Sequence, residues 1–167
     1  NAGTANTIGD ENVAIGHAAL LANVAGSKST AIGQGALNAQ NKASDAAGDQ
    51  HNTAVGYHAG VAVSEAVDNT LIGSIAGDSL NTGGNNTAVG KQALSADTKG
   101  GTAVAIGQLA LGAQNFTDAM DNYNVAIGYS AGVGIAAAGG HIAGRFNTLI
   151  GGLAGDNITT GDSNIII

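Results

Sequence analysis

Eight copies of one short phrase constrain this chain more than any other feature. Each copy reads Asn/Ser/Ala, Thr/Val, Ala/Leu, Val/Ile, Gly, two variable residues, Ala, then Leu or Gly, and the glycines are Gly16, Gly33, Gly56, Gly73, Gly90, Gly107, Gly128 and Gly151. Four of the gaps between them are 17 residues, and the others are 23, 21 and 23. A short, near-constant period marks a solenoid, in which one small unit is stacked many times. Composition agrees: among 167 residues there are 28 glycines, no Trp, Cys or Pro, and few aromatics, so a bulky globular core is ruled out while thin stacked coils are favoured.

Within each phrase the spacing is that of a β-strand. Positions three and one before the glycine hold pairs such as Val13 and Ile15 or Val125 and Ile127, and side chains two apart share a face. The residue between them is Ala or Leu, so both faces are apolar and both need cover. Runs of β-branched residues closed by Gly argue against helix. The fold class expected is all-β, a solenoid of about eight to nine short coils. Its repeat core is read as Val13, Ile15, Ile32, Val55, Ile72, Val89, Ile106, Ile127 and Ile150.

Three residues after the glycine stands an invariant alanine: Ala19, Ala36, Ala59, Ala76, Ala93, Ala110, Ala131 and Ala154. A tight inner corner, or a contact with a neighbouring chain, accounts for it. Polar turn segments precede most copies, and stacking would align Asn12, Asn52, Asn69, Asn86, Asn124, Asn147 and Asn164 into an amide ladder at one corner.

A longer repeat lies over the short one. The residue four after the glycine runs Leu20, Leu37, Gly60, Gly77 and then Leu94, Leu111, Gly132, Gly155, the same four states twice. The chain is therefore one repeat domain, 1–167, made of two four-coil blocks at about 1–84 and 85–167. Beginning at Asn1 and ending inside a ninth copy, it reads as a piece of a longer fibrous protein. Length differences between the blocks fall at 38–51, 112–123 and 133–146, which are expected to bulge as surface loops. Phe116, Tyr123, His141, Arg145 and Phe146 gather there, with Met120, and are the candidate receptor contacts.

The phrase Asn12-Val13-Ala14-Ile15-Gly16, repeated at Asn124 to Gly128, resembles the Ser-Val-Ala-Ile-Gly-x-x-Ser repeat of YadA-like head domains, the Yersinia-adhesin type of trimeric autotransporter adhesin. The resemblance covers nearly the whole chain. It implies a left-handed parallel β-roll, a side-by-side homotrimer, and display outside a Gram-negative cell. By position it would turn Val13 and Ile15, or Val125 and Ile127, toward the coil interior, with trimer packing covering the other strand face. Asn stands here for the family's first Ser and Ala for its last, and the 17-residue period is longer than that family's usual turn. The Asn-Asn-Thr-Ala-Val-Gly and Asn-Thr-Leu-Ile-Gly phrases are also similar to repeats in tail fibres of phages and contractile injection machines.

Three functions follow as expectations. The first is a trimeric adhesive head or fibre segment, outside a bacterial cell or on a virion or injection machine, that binds a receptor, matrix or glycan through its loops. The second is a structural spacer in a tail fibre, with binding carried by another domain. The third is an ice-binding solenoid, suggested by the row Thr30, Thr53, Thr70, Thr87 and Thr148; Val13, Val104 and Val125 interrupt that row, and the alternation is expected to point it inward.

Catalysis is not expected, since no nucleophile elbow, phosphate loop or carboxylate pair is recognisable. No cofactor and no metal is expected either: His17, His51, His58 and His141 lack partners at ligand spacing, and Asp78 and Asp156 are read as turn residues. A net charge of −7 with only five scattered basic residues makes nucleic acid a poor partner, and no apolar run is long enough to insert in a membrane.

Overall fold

A computed structural model describes residues 1–42, 48–135 and 144–167. Its strands, in chain order, are β1 (Val13–Ile15), β2 (Gly26–Ser27), β3 (Thr30–Ile32), β4 (Gly48–Asp49), β5 (Thr53–Val55), β6 (Thr70–Ile72), β7 (Thr87–Val89), β8 (Gly100–Gly101), β9 (Val104–Ile106), β10 (Met120–Asp121), β11 (Val125–Ile127), β12 (Thr148–Ile150) and β13 (Ile165–Ile166). No helix occurs among the described residues. Nine strands form one parallel sheet in the order β1-β3-β5-β6-β7-β9-β11-β12-β13, each the next coil's copy of the last. The register pairs like with like: Val13, Thr30, Thr53, Thr70, Thr87, Val104, Val125, Thr148 and Ile165 form one continuous row. Two short parallel pairs, β2 with β4 and β8 with β10, make a second wall. The fold is an all-β parallel solenoid of about eight turns.

Strand parity is the reverse of the one expected. The middle residue faces inward: Ala31, Ala54, Leu71, Ala88, Ala105, Ala126 and Leu149 are fully buried. The residues assigned to the core lie on the outer face. Val13, Ile15, Ile72, Ile106, Ile127 and Ile150 are exposed, while Ile32, Val55 and Val89 are half-buried. The reason is the asparagine that begins most of the phrases. Asn52, Asn69, Asn86, Asn124 and Asn147 are buried, and each sends its Nδ2 across the coil to a carbonyl on the opposite wall, as Asn52 does to Ala66 O (2.7 Å) and Asn69 to Gly83 O (3.0 Å). With Asn pointing in, a period of two turns the middle residue in and both flanking residues out.

The same asparagines form the expected ladder. Each Oδ1 accepts the backbone N–H of the corresponding residue one coil on: Asn69 to Asn52 (3.0 Å), Asn86 to Asn69 (3.0 Å), Asn147 to Asn124 (3.0 Å) and Asn164 to Asn147 (2.9 Å). Where the second and sixth coils carry Ser29 and Ala103 instead, Gln40 Oε1 and Gln114 Oε1 accept from Asn52 and Asn124. Burial without such partners would cost about 1–3 kcal/mol per group.

After the strand the chain turns from Gly to the invariant alanine, with the alanine N–H donating to the glycine carbonyl, as in Ala93 to Gly90 O (3.3 Å). Seven of the alanines are fully buried and Ala154 is half-buried, so the position is an inner corner of the chain's own coil. The phrase glycines sit at φ between +122° and +140°, and a Cβ on Gly90 would lie 2.6 Å from the carbonyl of Gly107 in the next coil. A column of glycines is the only one that stacks this closely.

The four-state pattern follows from volume. Leu20, Leu37, Leu94 and Leu111 fill coils whose middle strand residue is alanine. In the third and fourth coils Leu71 fills the space, and its δ-carbons lie 2.7 Å from where a Cβ on Gly60 or Gly77 would stand. Leu149 does the same against Gly132 and Gly155. One leucine moved from the turn to the strand thus requires glycine at two turns.

Candidate functional site

The residue just before each ladder position has a left-handed backbone in every coil: Glu11, Lys28, His51, Asp68, Asn85, Thr102, Tyr123, Phe146 and Ser163, at φ between +50° and +61°. Left-handed backbone is uncommon outside glycine, and here it is held by N–H bonds to the preceding coil, such as Thr102 to Gly84 O (3.0 Å) and Phe146 to Asn122 O (2.9 Å). Stacking turns these nine into a single outward row, one side chain per coil. In the first block the row is ionic. Lys28 Nζ lies 2.7 Å from Asp49, and His51 sits between Asp49 (3.8 Å) and Asp68 (3.5 Å). The hydrogen bond from Lys28 holds the Asp49 carboxyl below its ordinary range and raises the lysine in turn. These pairs are exposed, and the contribution of each to stability is small.

In the second block the row becomes aromatic. Tyr123 and Phe146, both about half-exposed, stack with centroids 5.3 Å apart and planes 12° from parallel. The Arg145 guanidinium lies 5.2 Å from the Phe146 centroid, within cation–π range. Beside Tyr123 a groove of about 290 Å³ crosses three coils. Its floor is bare because Gly84 and Gly101, in successive coils, bring no side chain, and its sides include Asn85, Lys99, Met120 and Asp121. Asp121 pairs with Gly101 in the β8–β10 ladder, and the Tyr123 hydroxyl donates to its Oδ2 (3.3 Å), tying the groove to the aromatic pair.

Three of the candidate contacts, Tyr123, Arg145 and Phe146, are therefore brought together on one surface. Phe116 is not among them. It is a core residue, 2% exposed, with its ring against Gly100 and its N–H donating to Asp97 Oδ1 (3.1 Å). The segment 112–123 accordingly does not simply bulge: Gln114, Phe116 and Asn122 return to the interior, and Met120–Asp121 rejoins the wall. The absent side chain at Gly100 opened the space that an aromatic ring could fill. His141, and much of 133–146, lie outside the described residues, as do 43–47 of the first insertion.

Asp97 is the group that sequence reasoning missed. It is fully buried and accepts from Gly100 N (2.9 Å), Phe116 N (3.1 Å) and Gln114 Nε2 (2.7 Å); burial raises its pKa against the opposing pull of these bonds. Its signal was in the duplication. Asn23, 74 residues earlier, accepts the same turn N–H from Gly26 (3.0 Å), but its amide then donates to Gly26 O, and Gln40 Nε2 has no acceptor among the described residues. A carboxylate has no donor of its own to place, so it leaves an acceptor for Gln114.

The expected turn residue Asp78 lies half-buried, and that burial raises its carboxyl above the ordinary value. Among the described residues no three His, Asp or Glu side chains converge as metal ligands would. Comparison with known proteins finds no matching family model, curated protein or solved structure. The groove and its aromatic rim can stack against a flat ligand face and exchange hydrogen bonds with it.

Proposed function

We propose that this chain is a segment of a trimeric, surface-displayed adhesive head or fibre, in which the solenoid is scaffold and the aromatic end of the outward row meets the partner surface. One observation carries the reading. The flanking Val, Thr and Ile residues of nine strands make two continuous apolar-rich rows on the outside of a single chain, about 38 Å long at a strand spacing of about 4.8 Å. Contiguous exposed apolar surface of that length is a contact surface, and the resemblance to YadA-like heads supplies three as the number of chains. The reading covers a head on a bacterial cell and a segment of a phage or injection-machine fibre alike, because it uses only features of the fibre. Tyr123, Arg145 and Phe146 favour a binding role over a pure spacer, since no stacking requirement puts two exposed rings side by side.

The same rows support a second reading. Thr30, Thr53, Thr70 and Thr87 occupy four neighbouring strands in register, and they point outward, contrary to the expectation from alternation. An outward, regular threonine row beside Ile32, Val55, Ile72 and Val89 has the regular spacing that contact with ice requires, and Val104 and Val125 break it in the second block. Sedimentation equilibrium separates the readings. A species of three times the 16.0 kDa chain mass is expected; a stable monomer that shows thermal hysteresis would sink the trimer and favour ice.

A further inference from the structure

The groove beside Tyr123 has a definite chemistry. Its floor is backbone, because Gly84 and Gly101 bring no side chains, and a Cβ on Gly101 would stand 2.9 Å from both Asp121 Oδ1 and Gly84 O. Over that floor stand an amide (Asn85), an ammonium (Lys99) and a carboxylate (Asp121), all exposed. Asp121 is tied to the Tyr123 hydroxyl. One face of the Tyr123 ring is taken by Phe146, and the residue remains about half exposed next to the groove's Asp121. Thr102, the row residue of the preceding coil, is short and half-buried, its hydroxyl donating to the Gly101 carbonyl (2.6 Å) and accepting from the Tyr123 N–H (3.4 Å).

A flat aromatic face at the rim, with donors and acceptors of both kinds within one small groove, suits a ligand that is apolar on the faces of its ring and hydroxylated around its edge. We propose that this groove binds one or two units of an uncharged oligosaccharide, with a sugar ring stacked on Tyr123 and its hydroxyls shared among Asn85, Lys99 and Asp121. The volume, about 290 Å³, lies at the small end for ligand sites and suits a short stretch of sugar. An apolar ligand would strip water from Lys99 and Asp121 without replacing their hydrogen bonds. An anionic sugar would meet Asp121 within a chain of net charge −7. This inference rests on the adhesive reading and names the ligand class of that surface.

Saturation-transfer NMR on the full chain tests it, using lactose, cellobiose and maltotriose as neutral probes and 3′-sialyllactose as the anionic one. Transfer to ring protons of at least one neutral sugar is expected. Tyr123→Ser, which copies Ser163 of the same row, and Asp121→Asn are each expected to weaken it at least tenfold with the melting temperature unchanged. No transfer to any neutral probe, transfer that survives both variants, or transfer to sialyllactose alone overturns the proposal. A trimer by sedimentation that binds no neutral sugar overturns this inference and leaves the trimeric reading standing.

Discussion

Two residues show how little freedom a thin coil leaves. Gly90 combines a φ of +137° with a Cβ direction that runs into the backbone of the next coil at 2.6 Å, where nothing flexible can yield. Gly90→Ala is expected to cost on the order of 2–4 kcal/mol, from backbone strain and overpacking together, and chemical denaturation of the purified variant measures it. Asp97 is constrained electrostatically. Its folded-state pKa is raised, by burial first, above the ordinary 3.8, so the native state keeps the proton to higher pH than the unfolded chain. The stability tied to that proton is fully present below 3.8 and is lost as pH rises through the folded value. Asp78 has the same sign, whereas Asp49, whose pKa is lowered, contributes stability that is present above 3.8 and lost as pH falls through its folded value, outside the range of this test. Melting temperature is therefore expected to fall as pH rises from about 4 toward neutrality, less steeply in Asp97→Asn; equal slopes would remove the assignment.

Coils are the next scale, and there the exchange of volume between turn and strand matters most. Leu71 occupies space that belongs to the turn residue in other coils, and Gly77 exists to let it in. Leu71→Ala is expected to cost about 2–5 kcal/mol as a buried cavity. Adding Gly77→Leu, which recreates the arrangement around Leu20, is expected to return roughly 1 kcal/mol or more, measured as the coupling in a double-mutant cycle. The repeat of Leu, Leu, Gly, Gly was legible in the chain as a pattern, and so was the block duplication. Its cause was not, because nothing in the order of residues says that Leu71 reaches both Gly60 and Gly77. The strand itself was legible from Val13-Ala14-Ile15, but its parity was misassigned: size and hydrophobicity favoured the branched residues as core, whereas the decisive term was the buried amide at Asn52, Asn69 and Asn86, whose polar atoms find acceptors only inside.

For the whole molecule the consequence of that parity is an apolar sheet face on the outside. If it is the trimer contact, a charge in mid-face should separate the chains without unfolding them. Ile106→Lys, exposed on a central strand, is expected to give a folded species of single-chain mass with an unchanged far-ultraviolet spectrum; a trimer that persists would place the contact elsewhere. The outward row belongs to this scale too, since its change from ionic at Lys28 and His51 to aromatic at Tyr123 and Phe146 is a property of the stack. Phe116 and Tyr123 are close in sequence and both aromatic, yet one fills the void over Gly100 and the other stands in solvent. By itself the sequence determined the solenoid, its strands, its corner alanines and its four-coil blocks, because each of these is a local period repeated enough times to be unmistakable. Only the tertiary structure decided which strand face is inside, that Tyr123, Arg145 and Phe146 meet, and that a groove opens at Gly84 and Gly101, because those depend on contacts between coils, where a missing side chain counts for as much as one that is present.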